Sequence, residues 1–171
     1  MNLIFKKCTI EDLDLLIEIS RTSFIDAFEK DNDPDDFKKY LAKAFNAKQM
    51  SSEILNPNSS FYFLLYDNDL VGYIKLNRND AQKEKIDLNA MELERIYVFK
   101  DFQGKQLGKL ALYMVIDMAK KAQASSLWLG VWERNLRAIS FYEKNGFKVF
   151  GKHPYLIGED EQYDFLMKLD L

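Results

Sequence analysis

Residues 95–112, RIYVFKDFQGKQLGKLAL, start with a strand's character, break between 101 and 104, and resume with helical periodicity. A strand-to-helix turn of this kind gathers unpaired backbone N–H groups at the positive end of a helix dipole, so an anion is its natural guest, and phosphate foremost. A Walker A loop requires G-x-x-x-x-G-K-[ST], whereas here only three residues separate Gly104 from Gly108 and Lys109 is followed by Leu110. That spacing excludes a P-loop nucleotide triphosphatase. The G-x-G-x-x-G dinucleotide fingerprint fails as well, because no further glycine stands two or three positions from either one. On this stretch alone, an ordinary turn with its lysines in water is the alternative.

A second stretch, from Asn135, places Asn135, Ala138 and Tyr142 at i, i+3 and i+7, so an amide, a small residue and a phenol share one helix face. Alone, Tyr142 reads equally as a core aromatic beside Phe141. Both stretches follow strands and open helices, however, so one extended phosphate-bearing ligand can run from the first helix to the second. Glu92 and Glu94 alternate with Leu93 and Arg95 and point to one side of their strand, either as acid–base groups or as a polar sheet face paired with lysines. His153, the one histidine, precedes Pro154 in an expected loop and shows no partner in the sequence. Cys8 reads as a small buried residue rather than a nucleophile. Trp128 and Trp132 share a side of their strand with Gly130 between them and read as packing against a helix.

The elements that hold these residues follow from periodicity and caps. A first strand over 2–7 leads to Thr9 as an N-cap and a helix through 29; Asp33-Pro34 opens a second helix, with Phe37, Leu41 and Phe45 at helical spacing; a third spans 47–55. The period then changes, and 61–66 and 70–76 read as a hairpin about Asp67-Asn68-Asp69. The polar stretch 77–90 reads as a mobile connection to a strand over 91–99. The helix after the first motif, a strand over 125–132, the helix from Asn135 stopped by Gly146, and strands over 147–150 and 162–169 complete the chain. This order predicts an α+β or α/β sandwich rather than a regular doubly wound sheet.

A chain of 171 residues with 47% apolar and 14% aromatic content suits a single domain, 1–171, with a full core. No apolar run approaches the roughly 20 residues that span a bilayer, and the start does not resemble a leader, so no membrane role and a cytoplasmic location are expected. One cysteine and one histidine build neither an internal disulfide nor a familiar zinc site, and no metal is expected. The net charge of −3, without a basic stripe, disfavours nucleic acid and favours small cationic partners. Acidic residues crowd 26–36, including Asp26, Glu29 and Asp33, and again 159–164. They form either a solvated charge run or a rim that attracts polyamines.

Together, RIYVFKDFQGKQLGK and N-x2-A-x2-F-Y-x3-G-F resemble the GNAT acyltransferase superfamily. MELERIYV at 91–98, LWLGVWERN at 127–135, the stretch 24–45 and EDEQYDF at 159–165 are similar to its PaiA type of spermidine/spermine N-acetyltransferases. The similarity covers nearly the whole chain. It implies a GNAT fold: a mixed, mostly antiparallel sheet with splayed parallel strands 4 and 5 and helices on both faces. It also implies acetyl-CoA as co-substrate, with backbone groups of Ile96, Tyr97 and Val98 against the pantetheine arm and Gln103, Gly104, Lys105, Gln106, Leu107, Gly108 and Lys109 as the pyrophosphate loop. Asn135 would meet the pantetheine chain and Lys144 a CoA phosphate. The sequence departs from the family's Q/R-x-x-G-x-G/A pattern at Gln106, where glycine is common; backbone approach is less free there, although a helical first-turn conformation would still present its N–H.

Acetyl transfer to an amine needs a neutral amine, a polarised thioester carbonyl and a proton for the departing thiolate. Under the resemblance, Tyr142 is the general acid, since a phenol with a pKa of about 10 stays protonated at neutral pH. The backbone N–H of Val98 is the oxyanion donor. Glu92 and Glu94 are the candidate bases, relaying through water. Asp26, Glu29 and Asp33 are candidate acceptor-binding groups for a small polycationic amine such as spermidine or spermine. Two other readings stay open: acetylation of a protein or peptide amino group, and a CoA-sensing regulator, since the PaiA type is linked to sporulation and degradative-enzyme control. No reader helix for direct DNA control is evident. Monomer and homodimer are both compatible with the sequence.

Overall fold

The structure, a computed structural model, describes residues 2–87, 89–157 and 160–171. Strand β1 (Leu3–Lys7) leads through a 3-10 turn at Ile10–Asp12, where the Asp12 carboxylate accepts from the Thr9 N–H at 2.9 Å, into α1 (Leu13–Phe28). Helix α2 (Pro34–Ala44) starts where Asp33 accepts from the N–H groups of Asp35 and Asp36 at 3.0 and 3.1 Å, with Pro34 at the first helical position. Asn46 caps α3 (Ala47–Leu55) by accepting from the Gln49 N–H at 2.8 Å. The hairpin β2 (Ser59–Tyr66) and β3 (Asp69–Arg78) turns on Asp67 and Asn68, with φ of 51° and 73°, the positive pair that a tight hairpin requires.

The chain continues as β4 (Met91–Val98), α4 (Leu107–Lys121), β5 (Ser126–Trp132), α5 (Leu136–Lys144), β6 (Lys148–Ile157) and β7 (Asp160–Asp170). The strands form one open sheet in the order β1-β2-β3-β4-β5-β7-β6, antiparallel throughout except for the parallel pair β4 and β5. One apolar layer lies against α4 and α5, with Leu93, Leu112, Val115, Leu129 and Met167 at its centre. A second, richer in aromatics, lies under α1, α2 and α3, with Leu16, Phe37, Met50, Phe61 and Tyr73. Among the described residues, no helix is long and apolar enough to cross a membrane.

Two expectations are corrected. The strand expected to stop near 150 runs to Ile157 and carries His153 and Pro154. β6 is an edge strand, where a residue without an N–H costs no ladder bond, and His153 pairs with Asp164 in register rather than lying in a loop. The 77–90 connection is held by specific partners. Asn58 donates to Asp80 at 2.6 Å, Trp128 Nε1 donates to Gln82 at 2.7 Å, the Lys83 N–H donates to Glu92 at 2.9 Å and Ser125 donates to Asp87 at 2.7 Å. Its polar composition marks long-range bonding, which local periodicity does not reveal. Glu159, which opens the last similar stretch, lies outside the described residues.

Candidate active site

β4 and β5 pair at only two positions, Met91 with Leu127 and Glu92 with Trp128. Beyond Glu92, β4 stays with β3 as far as Val98 while β5 follows β7 to Trp132, so the facing edges diverge. The Phe99 N–H donates to the Val71 carbonyl at 2.8 Å, on the β3 side. By strand alternation the polar backbone groups of Val98 and Ile96 therefore face the gap. Gln103 Nε2 confirms the direction by donating to the Val98 carbonyl at 3.0 Å from that side. Tyr97 is the exception among the three residues expected there. Its carbonyl faces β3, so close to Gly72 that a Cβ at that glycine would sit 2.0 Å from the oxygen. Its ring stacks on Tyr73 at 5.5 Å, on the α1–α3 face.

The turn after β4 ends at the mouth of this gap. Gly104 has φ +79° and Gln106 φ +59°; Gln103, Gly104, Lys105 and Gln106 are exposed, and Leu107 anchors the start of α4 in the core. Gln106 is left-handed rather than in a helical first-turn conformation. The chain must reverse there before α4, and a position where the family commonly has glycine takes the conformation that glycine adopts without strain. The first helical bond runs from the Leu110 N–H to the Gln106 carbonyl at 3.1 Å, so the N–H groups of Leu107, Gly108 and Lys109 lack intrahelical acceptors. A Cβ at Gly108 would be 4.0 Å from Val98, which measures how closely the helix start approaches the strand. Lys105 and Lys109 extend over Phe102 and Tyr113 at 4.9 and 5.5 Å. Exposed donors at a helix start, two lysines and an open strand edge fit a pyrophosphate joined to an extended amide-bearing arm.

On the other side of the gap, Asn135 caps α5 by accepting from the Ala138 N–H at 3.1 Å. Tyr142 is 8% exposed, set edge-on to Phe141 at 5.3 Å and Phe147 at 5.6 Å. Burial alone pushes its phenol above the ordinary value of 10, so it holds its proton at neutral pH. Lys144 is exposed in the last turn.

Glu92 and Glu94 do share a side, as alternation predicts, and Arg95 joins them. The β3–β4 register pairs Leu76 with Leu93 and Lys75 with Arg95, which leaves Glu94 as a bulge residue and turns two successive side chains toward one face. Asn77 Nδ2 donates to Glu92 at 3.0 Å and to Glu94 at 2.6 Å. Lys75 Nζ, 3% exposed as a residue, pairs with Glu94 at 2.6 Å and with Glu53 of α3 at 2.9 Å. Arg95 lies 3.6 Å from Glu94, and Lys83 Nζ is also 3.6 Å away. The two carboxyls are driven apart. Burial first, then the Glu94 charge, pushes Glu92 up to about 7 against the bonds from Asn77 and Lys83. For Glu94 burial acts upward too, but Arg95, Lys75 and Lys83 outweigh it and hold the group down at about 2. Sequence reading misses Asn77, Lys75 and Glu53; the one signal was a lysine inside the otherwise apolar run LVGYIKL.

The acidic corner stands beside the outer ends of β5 and β7. Phe28 meets Trp132 edge-on at 6.3 Å, and Gln162 donates to Asn32 at 2.9 Å. Asp26 and Glu29 are exposed there, while the Asp33 carboxylate is engaged in capping α2. Asp164 pairs in register with Trp132 and His153, and burial first pushes its carboxyl up to about 6. His153 has a partner after all, Glu84, at 2.5 Å. Trp128 is buried and its Nε1 donates to Gln82 of the 77–90 connection. Cys8 is buried, and burial pushes its thiol up to about 12, which removes it as a nucleophile.

Comparison with known proteins agrees with this geometry. Residues 14–147 match the model of the acetyltransferase (GNAT) family. An uncharacterized N-acetyltransferase of Lactobacillus delbrueckii subsp. lactis is 44% identical over 92% of this chain and 91% of its own length. The spermidine N(1)-acetyltransferase of Thermoplasma acidophilum is 29% identical over 87% of this chain and 90% of its own. The crystal structure of PaiA N-acetyltransferase from Thermoplasma acidophilum in complex with coenzyme A superimposes with a TM-score of 0.77 at 27% identity, covering 100% of both chains.

Proposed function

The chain belongs to the acetyltransferase (GNAT) family and is an N-acetyltransferase of that type, and on this premise we propose that it transfers the acetyl group of acetyl-CoA to a primary amine of a polyamine. The observation that carries the reading is Glu92, a buried carboxyl at the closed end of the β4–β5 gap with its pKa raised to about 7. A group titrating near neutrality is suited to take a proton from an alkylammonium, which at neutral pH is only about one part in 10³ deprotonated. The Thermoplasma relative's spermidine acceptor and the acidic corner around Asp26 and Glu29 support a polycation over a neutral amine.

Acetyl-CoA supplies the activated thioester. Gln103 to Lys109, with the gap-facing backbone of Ile96 and Val98, would hold it, with Asn135 and Lys144 as further contacts. Glu92 takes the ammonium proton through a water, and the freed nitrogen lone pair forms the C–N bond. The Val98 N–H faces the developing negative charge on the carbonyl oxygen. Tyr142 gives its proton to sulfur as the C–S bond breaks, the nitrogen's second proton leaves to solvent, and solvent reprotonates Tyr142. The balance is one ammonium and one thioester converted to one amide, one thiol and one released proton, by direct transfer without an acyl-cysteine.

The test is CoA release from acetyl-CoA against spermidine, spermine, a lysine peptide and an aminoglycoside, on the native protein and on Tyr142→Phe. Polyamine turnover that the variant loses supports the reading. Turnover confined to the peptide would move the acceptor class. No turnover despite acetyl-CoA binding would favour a CoA-sensing role.

A further inference from the structure

The β4 bulge turns Arg95 onto the face that carries Glu92 and Glu94, where Lys75 and Asn77 of β3 meet the two carboxyls. Building on Glu92 as the base, we propose that Glu94 is a positioning residue: fixed by Lys75 and Arg95 and sharing the Asn77 amide with Glu92, it makes Glu92 the carboxyl of the pair that accepts the proton.

The geometry assigns the two roles unequally. Glu94 is held by both cations, Lys75 at 2.6 Å and Arg95 at 3.6 Å, with Lys83 Nζ at 3.6 Å on its outer side. Among the described residues Glu92 has no ion-pair partner; it accepts from the Asn77 amide at 3.0 Å and the Lys83 backbone N–H at 2.9 Å. Lys75 is itself fixed from α3 by Glu53 at 2.9 Å, so the Lys75 ammonium cannot swing to Glu92 without abandoning two carboxylates. Asn77 is oriented in turn, since its Oδ1 accepts from the Ser59 hydroxyl at 2.9 Å, which commits both hydrogens of Nδ2 to the carboxyls. Toward β5, Trp128 and Gln82 bond to each other and bring no charge to Glu92. An ionised neighbour linked through one amide therefore opposes ionisation of Glu92, while Lys75 and Arg95 pair with the neighbour and only the more distant Lys83 charge favours ionised Glu92.

The experiment follows the acidic limb of kcat/KM against pH in three variants, with a 13C-carboxyl titration of Glu92 in the two that retain it. Glu94→Gln removes the opposing charge, so both the limb and the Glu92 titration move down by about one pH unit, which is tenfold in the ionised fraction below the midpoint. Asn77→Ala removes a donor to the charged form, so both move up. These opposite shifts are what a merely structural role would not produce. If Glu92 titrates at the wild-type midpoint in both variants, the proposal is overturned. Should Glu94→Gln not fold, as judged by its acetyl-CoA thermal shift, the direction of the Asn77→Ala shift decides. Glu92→Gln separates the two ideas: an unchanged rate and limb in that variant defeat Glu92 as the base, and the carboxyl titration still judges the coupling.

Discussion

Burial acts on Tyr142 and Glu92 in the same direction, favouring the protonated form of each, with opposite chemical use. In the proposed mechanism the phenol, held protonated at neutral pH, serves as the donor, and the carboxyl lifted to about 7 serves as a base near the working pH. Tyr142→Phe is accordingly expected to lower kcat by roughly 10²–10⁴ while leaving the KM for acetyl-CoA near the native value, measured by steady-state kinetics. An equal rise in that KM would instead place the residue in binding. The phenol and both carboxyls stood out in the sequence as candidates by residue type, spacing and family resemblance together. The presence of Arg95 on the carboxyl face was not, because a bulge is a property of pairing between strands and leaves the alternation of a single strand unmarked.

Elements with local causes were legible and those with distant causes were not. Asp33-Pro34 announces α2 because the cap and the first-turn proline act within three residues. The β6 extension through His153 and Pro154 depends on lying at the sheet edge beside β7, and the 77–90 connection depends on Trp128, Glu92 and Ser125. The loop before α4 was legible as a strand-to-helix turn, whereas the left-handed Gln106 was not, since a glutamine does not announce that conformation. Gln106→Gly relieves that conformation and should raise unfolding stability by up to about 1 kcal/mol in chemical denaturation. Gly72→Ala should cost about 3 kcal/mol or more, because the added carbon meets the Tyr97 carbonyl at 2.0 Å and backbone has no rotamer to yield. A stability loss below about 1 kcal/mol would show that β3 and β4 are not so closely apposed.

At the scale of the molecule, the two raised carboxyls set the direction of one pH dependence. Glu92 at about 7 and Asp164 at about 6 bind protons in the folded state that the unfolded chain, with ordinary values of 4.5 and 3.8, has already released. The stability from their neutral forms is complete below the unfolded values and is lost as pH rises through the folded ones. Thermal or denaturant unfolding between about pH 4 and 7 should therefore show a downward contribution that Glu92→Gln and Asp164→Asn each flatten. A steeper fall in either variant would contradict the burial of that carboxyl. The sheet itself has a further property. Since β4 and β5 share only two register pairs, its main-chain continuity resembles two plates, one of four strands and one of three, riveted at one corner. A ligand laid along the gap would act as a gusset across the free length of the seam, so its departure should loosen relative plate motion and speed amide exchange at Ile96 and Val98 before any strand within either plate is disturbed.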